Sequence, residues 1–397
     1  MKLKINGFFA IVKREIVNLS HDSDIRILVL IAPLFYSIFY ASLYFNKTET
    51  DIPVVVVDQD GSTLSRQFIN KLDAHQLISV THNTADLTEA ETLLKNDEVQ
   101  SIIIIPKDFD AKLRSGRANT LKVLLNTQRF LHSNDINRAI NEVGFDYAAE
   151  SRMKVFNSKG IGAGQAEQMI EPVKEEVRFM YNPMLTYGDF LIPGVLMLIL
   201  QQTLILGLAQ SLAKEREENS LLRWYSDANG STSAAITGKT VIYFFFFLVY
   251  SFFFITFHFW LFEVPSYAPV INTLALTALF LLVSISFTVL IGSFFKSKLG
   301  VLQIIAFSSY PFFFLTGFAW PLISFPDPLI WLGDLLPLKP FLAAFLKTFR
   351  MGGDVSLINP ELKHLAILGV GYSLLAYLRM KYLFLRSVKQ ESRSPLP

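Results

Sequence analysis

The sequence predicts an α-helical polytopic membrane protein with six transmembrane helices and an inserted α/β extracytoplasmic domain. Of its 397 residues, 51% are hydrophobic and 14% aromatic, which is unusually apolar for a soluble protein of this size. The charged residues concentrate in a few segments between long apolar runs. The run from Phe190 to Leu212 has no charge, exceeds the about 20 residues that a spanning helix needs, and is followed at once by a dense charge cluster.

Residues 1–26 are predicted to form a cytoplasmic amphipathic helix at the membrane surface. Apolar residues recur there at helical spacing, with Lys13, Arg14 and Glu15 between them. A frayed tail is the alternative.

Residues 27–45 are the predicted first transmembrane helix. A signal peptide would have an apolar core of only about 7–15 residues before a small-residue cleavage site. Here Tyr44-Phe45-Asn46-Lys47 follows instead, which favours a retained anchor.

Residues 46–187 are predicted to form the extracytoplasmic α/β domain. Ile52–Val57 and Ile102–Ile105 are short β-branched runs typical of buried strands, and Leu77–Val80 and Leu121–Leu125 are weaker strand candidates. The predicted helices are Ser62–Leu72, Ala85–Val99 and Asn134–Asn157, the last followed by a glycine-rich hinge at 158–164. The segment has the size of one ordinary domain.

Residues 188–385 are predicted to contain the five further spans. These are Phe190–Leu212, Ile236–Phe262, Ile271–Phe295, Leu299–Trp320 and His364–Leu385. Prolines interrupt the apolar stretch at about 321–345, which predicts a re-entrant hairpin shielded by protein. Residues 386–397 are the predicted cytoplasmic tail.

Lysine and arginine near the span ends indicate the orientation, because cytoplasmic flanks carry an excess of these residues. In a six-span arrangement, the basic flanks all fall on one side. They include Lys2, Lys4, Lys13, Arg14, Arg26, Lys214, Arg216, Lys296, Lys298 and Arg386. Both termini are therefore predicted to be cytoplasmic.

Several catalytic classes find no support. The chain has no cysteine, and Gly238-Lys239-Thr240 lacks the first glycine and the strand of a phosphate-binding loop, so neither ATP nor a metal is predicted on this chain. No basic patch indicates nucleic acid. Asp58, Asp60, Asp73, His75 and His82 are the candidates for a metal or hydrolytic site, but a turn that caps the next helix is the favoured interpretation.

The span interiors contain no Asp, Glu, Lys or Arg, apart from residues near helix ends such as Lys239 and Arg379. Ion-driven transporters usually place such residues inside the membrane, so any energy source is expected outside it. His258 is interpreted as an interfacial side chain. The polar residues of the spans either line a translocation path or bind helix backbones. They are Gln201, Gln202, Thr203, Ser284, Ser286, Ser308 and Ser309.

The charged segment Lys214–Trp224 is the candidate coupling site. It is predicted to be a short helix that inserts into a groove on a partner, since its apolar residues lie beside charges. The candidate residues are Glu215, Arg216, Glu217, Glu218, Leu221, Leu222 and Trp224. A solvated loop is the alternative.

The layout resembles the ABC-2 type exporter permeases, in the branch with a large extracytoplasmic domain between the first two spans. The motifs that carry this resemblance occur in the expected order along nearly the whole chain. They are Val56-Val57-Asp58-Gln59-Asp60, Tyr181-Asn182-Pro183, Ile192-Pro193-Gly194, Glu215-Arg216-Glu217-Glu218-Asn219-Ser220, Gly238-Lys239 and Leu315-Thr316-Gly317-Phe318-Ala319-Trp320-Pro321. Asn219-Ser220 departs from the family's Gly-Thr, and Leu222 replaces an acidic residue.

The resemblance implies a permease subunit in a bacterial inner membrane, paired with a second copy or a sister permease. ATP and Mg would be bound by a separate ABC ATP-binding subunit, and the cargo would be a hydrophobic or amphipathic drug, lipid or peptide. Membrane lipid and a periplasmic adaptor protein are further expected partners. The alternative function is a non-transporting receptor or assembly factor whose extracytoplasmic domain binds a partner.

Overall fold

The first 47 residues fold with the C-terminal half of the chain rather than with the segment that follows them. A computed structural model describes residues 2–47, 49–170 and 177–392. It divides into a helical unit, formed by Met1–Lys47 and Phe179–Pro397, and an α/β unit, formed by Thr48–Arg178. The predicted hinge at 158–164 lies inside the second unit, whereas the predicted boundary at 187 lies in the helical unit, at the first residue of the helix Tyr187–Glu217.

Two helices form the N-terminal part of the helical unit: α1 (Lys2–His21) and α2 (Ser23–Leu43). Asp22 separates them and caps α2, because its Oδ1 atom accepts a hydrogen bond from the Ile25 backbone N at 3.3 Å. The first candidate span thus begins four residues before the predicted start at 27. The side chains of Lys2 and Lys4, used for the orientation, lie outside the described residues.

The described residues of the α/β unit form nine regular elements. In chain order they are β1 (Ile52–Asp58), α3 (Thr63–Asp73), β2 (Ile78–Thr84), α4 (Leu87–Lys95), β3 (Ser101–Ile105), α5 (Phe109–Arg114), β4 (Lys122–Leu125), α6 (Phe130–Ser158) and α7 (Ala163–Ile170). The four strands lie in the order β2-β1-β3-β4. Strand β1 is parallel to both of its neighbours, whereas β4 is antiparallel to β3.

The run of valines in β1 is explained by apolar cores on both faces of the sheet. Val54 and Val56 face a core with Phe68 of α3, while Val55 and Val57 face a core with Ala90 of α4. A strand buried on both faces has no polar alternation.

The turn after β1 is organised by Asp58. Its Oδ1 atom accepts hydrogen bonds from the backbone N atoms of Asp60 and Gly61, and its Oδ2 atom accepts one from the Ser65 hydroxyl. Ser62 caps α3. The turn interpretation of this sequence is confirmed.

The remainder of the helical unit begins with a long helix, α8 (Tyr187–Glu217). It is followed by α9 (Leu221–Asp227), α10 (Thr232–Leu261), α11 (Val270–Gly292), α12 (Lys298–Leu315), α13 (Asp327–Asp334), α14 (Leu338–Arg350) and α15 (Asn359–Glu391). Helix α12 ends earlier than the predicted 320, since Gly317 adopts φ +80° in the turn that follows. Helix α15 continues through six residues of the predicted tail, and residues 393–397 lie outside the described residues.

By length and apolar composition, five helices of the described chain qualify as membrane spans: α2, α8, α10, α11 and α12. Helices α13 and α14 pass the same test together, but an 84° bend separates them, as in a broken span or a re-entrant hairpin. Helix α15, which contains the predicted sixth span, is not among the five; Arg379 and Lys381 interrupt its apolar part. The chain is a multi-pass helical membrane protein.

Candidate functional site

The charge cluster after the central span forms the last turns of α8. Helix α8 continues without a break to Glu217, so Glu215 and Glu217 end a long helix and do not begin a short one as predicted. Glu, Lys and Arg are good helix formers, and a change from apolar to charged residues does not by itself end a helix. The predicted single coupling helix is therefore two elements, the end of α8 and the separate helix α9.

Asn219 makes the turn between these two elements. Its φ is +54°, and the backbone N atoms of Asn219 and Ser220 donate to the carbonyl oxygens of Arg216 and Glu215 at 3.3 and 2.9 Å. These two bonds form a Schellman motif, in which the left-handed position is usually glycine and sometimes asparagine. Asn219 therefore preserves the turn despite the departure from the family's glycine.

Trp224 of α9 is buried in this protein and not presented to a partner. Only 1% of it is exposed, and its ring packs edge-on against Phe384 of α15, with 5.0 Å between centroids. The predicted insertion of this side chain into a partner's groove is wrong. An apolar side chain beside charges can be covered by the chain's own helices, which the local sequence does not show.

A buried ion cluster joins four helices at this end of α8. We call it the central ion cluster, and it consists of Arg14, Glu15, Glu215, Asp227 and Lys239. The Lys239 Nζ atom lies 2.7 Å from Glu15 Oε2 and 3.1 Å from Glu215 Oε1. The three residues are 1%, 2% and 5% exposed. Since a buried charge is tolerated only when it is paired and hydrogen-bonded, these contacts fix α1, α8 and α10 together.

The remaining contacts satisfy the two carboxylates. Glu15 accepts hydrogen bonds from the hydroxyls of Ser211 and Tyr243 at 2.5 and 2.9 Å. Glu215 accepts one from Arg14 at 2.6 Å, and another from the Ser220 hydroxyl. Arg14 also reaches Asp227 of α9 at 3.2 Å. The cluster thus includes α9, through Asp227.

The Lys239 ammonium completes its surroundings with an aromatic face. Its Nζ atom lies 5.0 Å from the centroid of the Trp224 ring, within the range of a cation–π contact. Trp224 therefore covers the cluster on the side of α9.

Two glycines allow α1 to approach closely enough for these contacts. A Cβ atom added to Gly238 would lie 2.9 Å from Ile11 Cβ and 3.0 Å from the Phe8 carbonyl oxygen. A Cβ added to Gly7 would lie 2.8 Å from the Ala228 backbone. The Gly238-Lys239 pair therefore has a structural role: glycine provides space for α1, and lysine pairs with Glu15 of α1.

The sequence contained a signal for this cluster that local interpretation missed. Lys239 lies inside α10, and an ionisable residue in a spanning helix requires a buried partner. Glu15 occurs four residues from Ile11 and from Leu19, which places all three on one helical face. Identifying the pair required knowing that α1 packs on α10.

A second cluster lies beside the first and ties α2 to α8 and α12. Asp22 contacts the Nζ atoms of Lys214 and Lys298 at 2.9 and 3.1 Å. Burial raises the pKa of Asp22, but hydrogen bonds from both lysines outweigh it and hold that pKa below its ordinary value. Arg216 donates to the carbonyl oxygens of Ser293 and Phe295 at 2.6 and 3.0 Å. Lys214 and Arg216, predicted for orientation and coupling, therefore hold helix ends together.

The remaining predicted coupling residues differ in accessibility. Glu217 and Glu218 are exposed, whereas Leu221 and Leu222 are half-buried. Arg223, which was not among the predicted coupling residues, is exposed beside them. Lys13 of α1 is exposed as well. Glu217, Glu218 and Arg223 therefore form the accessible part of the candidate site, and Glu215 and Trp224 its buried support.

The polar residues of the spans divide into two groups. Ser308 and Ser309 both donate to the Ile305 carbonyl, as expected for side chains that bind helix backbones. Gln201 Nε2 lies 3.5 Å from Ser284 Oγ on α11. Gln202 is 7% exposed, and neither of its amide atoms has a hydrogen-bond partner in the described structure. Gln202 is thus the residue of this set whose buried side-chain amide forms no hydrogen bond within the described structure.

His258 is buried and not interfacial as predicted. It is 0% exposed, and its Nε2 atom lies 3.0 Å from the Ser37 carbonyl oxygen of α2. Since that oxygen can only accept, Nε2 donates, and the side chain links α10 to α2.

The chain is similar to known membrane transporter proteins. The family described as "ABC-2 family transporter protein" matches residues 24–378. ABC transporter G family member 20 of Dictyostelium discoideum is 22% identical over 329 residues, which are 83% of this chain and 44% of that protein. Linearmycin resistance permease protein LnrN of Bacillus subtilis strain 168 is 28% identical over 91 residues, 23% of each chain. The chain thus spans less than half the length of these curated relatives.

Proposed function

The chain belongs to the ABC-2 family of transporter proteins, and we propose that it is the membrane-spanning subunit of an ATP-driven exporter. The observation that carries the proposal is the central ion cluster. It joins α1, α8 and α10 through fully buried charges and reaches α9 through the half-buried pair Arg14 and Asp227. A force applied to the accessible residues of α8 and α9 would therefore move the ends of several helices together.

ATP hydrolysis is assigned to a separate ABC ATP-binding subunit that docks on the cytoplasmic face. Glu218 and Arg223 provide exposed charges of both signs, and the half-buried Leu221 and Leu222 provide the apolar contact. Closure of the ATP-binding subunits would bias the spans between inward- and outward-facing states.

The cargo is proposed to be hydrophobic or amphipathic and to leave the cytoplasm or the inner leaflet. Gln202 supports a path along α8, because a buried amide without a protein partner can bind a polar group of a passing molecule. A second permease, either a copy or a sister subunit, would complete the path. Helix α12 supports this proposal, because only 22% of its apolar stretch is buried within the chain, against 83% for α8. The uncovered apolar surface of α12 is available to another subunit.

We place both termini in the cytoplasm of a bacterial cell, with α15 as the sixth span and the α/β unit outside. The chain has no cysteine, so single-cysteine variants give an unambiguous label. A membrane-impermeant maleimide should label Thr88→Cys in spheroplasts, and Glu218→Cys and Ser392→Cys only after permeabilisation. External labelling of Ser392→Cys would show that α15 does not span the membrane. Protection of Thr88→Cys in spheroplasts would show that the topology is the reverse of the one proposed.

The coupling assignment is tested by purification from native membranes with an ATPase assay. We expect an ATP-binding protein to co-purify in stoichiometric amount. Glu218→Lys and Arg223→Glu should weaken that association because they reverse exposed charges, while the matched control Glu98→Lys in the α/β unit should not. If both variants retain the full ATPase activity of the complex, these residues do not form the contact. If only extracytoplasmic partners co-purify, the receptor function replaces the exporter.

The proposed path is tested by Gln202→Leu. Removing two unpaired amide atoms should leave the protein at least as stable, since a buried polar group without a partner costs about 1–3 kcal/mol. Efflux of a lipophilic dye such as N-phenylnaphthylamine should nevertheless fall. Ser286→Ala is the control, since its hydroxyl is already bonded to Leu282 and Ser373. Unchanged efflux with Gln202→Leu would exclude a role in the path for that dye.

A further inference from the structure

The α/β unit contains a cavity of about 140 Å³ between α3, α5 and α6. Three aromatic rings form its apolar wall: Phe68, Phe109 and Tyr147. Their centroids lie 5.3 to 6.3 Å apart, so the rings support one another. An apolar cavity of about 150 Å³ is known to accept benzene, which sets the scale of a fitting group.

Two glycines create this space. Gly144 lies in the middle of α6 and lines the cavity, and a Cβ added there would have no atom within 4 Å. Glycine within a helix is less favourable than alanine by roughly 1 kcal/mol. The open space beside Gly144 is therefore kept at an energetic cost to the helix. Gly116, with φ +73°, ends α5 and turns residues 117–119 along the cavity wall.

Asn119 presents an unused acceptor at this wall. Its Nδ2 atom donates to the Phe109 carbonyl oxygen at 2.8 Å, which fixes the orientation of the amide. Its Oδ1 atom is buried and has no donor in the described structure. A ligand with a hydroxyl or amine would supply that donor.

Two arginines on the cavity wall provide positive charge for a ligand. Arg117 and Arg152 are exposed and line the cavity, and neither has a carboxylate partner among the described residues. Two carboxylates of the adjoining helices are engaged with other cations: Asp110 with Arg114 at 2.8 Å, and Glu150 with Lys71. The free guanidinium groups are therefore available to an anion from outside the protein.

We propose that this cavity binds a small amphipathic carboxylate: a ring of about benzene size that carries a carboxylate and a hydrogen-bond donor. The ring would lie against Phe68, Phe109 and Tyr147, the carboxylate would contact Arg117 and Arg152, and the donor would reach Asn119. All of these residues belong to the α/β unit, so the inference does not depend on the transport function or on the orientation in the membrane.

The experiment uses the full chain in detergent and the probe 4-fluoromandelate, observed by fluorine NMR. This probe has the ring, the carboxylate and the hydroxyl. We expect saturable binding to the wild-type protein, several-fold weaker binding of 4-fluorophenylacetate, which lacks the hydroxyl, and about tenfold weaker binding of 4-fluorobenzyl alcohol, which lacks the carboxylate.

The variants assign the binding to the cavity. Arg117→Gln or Arg152→Gln should weaken the binding of 4-fluoromandelate about tenfold and leave that of 4-fluorobenzyl alcohol unchanged. Gly144→Leu should abolish the binding of all three probes, because the new side chain fills the cavity. Arg138→Gln on the same helix is the matched control, since Arg138 pairs with Asp135 and does not line the cavity.

Gly144→Ala covers the case in which the larger leucine impairs folding. Alanine favours the helix and narrows the cavity, so binding should weaken without loss of secondary structure by circular dichroism. Saturable binding that is equal in the wild type and in Gly144→Leu would place the probe in the micelle or elsewhere on the chain and overturn the proposal. Absence of saturable binding to the wild type would overturn it as well.

Discussion

Both ends of the helical unit are held by basic side chains, but the partners of those side chains differ. At the end that contains Glu215, Lys239 pairs with carboxylates of two other helices. At the opposite end, Arg350 donates to the backbone carbonyl oxygens of Pro265 and Tyr181 at 2.7 and 2.5 Å, and Lys47 donates to that of Glu263 at 2.5 Å. The carboxylate oxygens of Asp189 and Glu263 lie farther from the Lys47 Nζ atom, at 3.5 and 3.7 Å.

The difference indicates how each end is built to move. Carboxylates and cations on different helices tie those helices to one another, so the Glu215 end is expected to move as one block. At the other end, the carbonyl oxygens belong to connections next to α8 and α10, so the basic side chains hold these connections in place. This is the division that transmission from a cytoplasmic partner would require.

The largest effect is expected for Lys239→Met, which removes the buried cation of the central ion cluster. It leaves the carboxylate of Glu15 buried without its cation, while Glu215 keeps only Arg14, and breaking a buried pair in this way costs about 3–5 kcal/mol. Thermal unfolding of the purified protein should detect this loss. Lys296→Met provides the control, because Lys296 is an exposed lysine at the same end. Equal stability of the two variants would show that the central ion cluster does not stabilise the protein.

A double replacement sharpens this result. Glu15→Gln combined with Lys239→Met removes one carboxylate together with the cation and should recover part of the lost stability. The coupling between the two substitutions then measures the pair itself.

A smaller effect is expected for Arg350→Met at the opposite end. Two charge-assisted hydrogen bonds are lost, but the carbonyl oxygens left behind are neutral and regain water more easily than buried carboxylates, so the net loss of stability should be below that of Lys239→Met. Hydrogen exchange should increase around residues 181–186 and 263–267 and stay unchanged around Glu215. Lys363→Met, at an exposed position of α15, serves as the control. Faster exchange at both ends would contradict the view that they are separately held.

The smallest effect is expected at the turn that ends α8. Asn219→Ala keeps the size of the residue small but disfavours its φ of +54°, at a cost of roughly 1–2 kcal/mol. Asn219→Gly should be nearly neutral, because relief of backbone strain is offset by greater freedom of the unfolded chain. Chemical or thermal unfolding of the pair measures the difference. A destabilising Asn219→Gly would show that the asparagine side chain, and not the backbone conformation, is needed.

The transmembrane helices were predictable because their signal is local. The uncharged run from Phe190 to Leu212 is long enough to specify a helix in hydrocarbon whatever its neighbours are. The β-branched runs that became β1 and β3 were predictable for the same reason. Helix ends were less accurate, since charged helix formers such as Lys214 extend α8 beyond its apolar part.

The contacts that build the candidate site were not predictable from the local sequence. The sequence proposes a coupling site at Glu215 to Trp224, but it assigns Trp224 to a partner and treats Lys239 as an end residue. Both errors arise from contacts between segments more than 100 residues apart, such as Trp224 with Phe384 and Lys239 with Glu15.

Composition and periodicity by themselves therefore determined a multi-pass helical protein with a separate segment of strands and helices. Burial of apolar side chains and satisfaction of backbone hydrogen bonds operate within each segment and need no knowledge of the rest. The tertiary structure alone decided which charges are buried and which are exposed. A charge inside a protein is stable only beside a partner of opposite sign, and the fold brings that partner from a distant part of the chain.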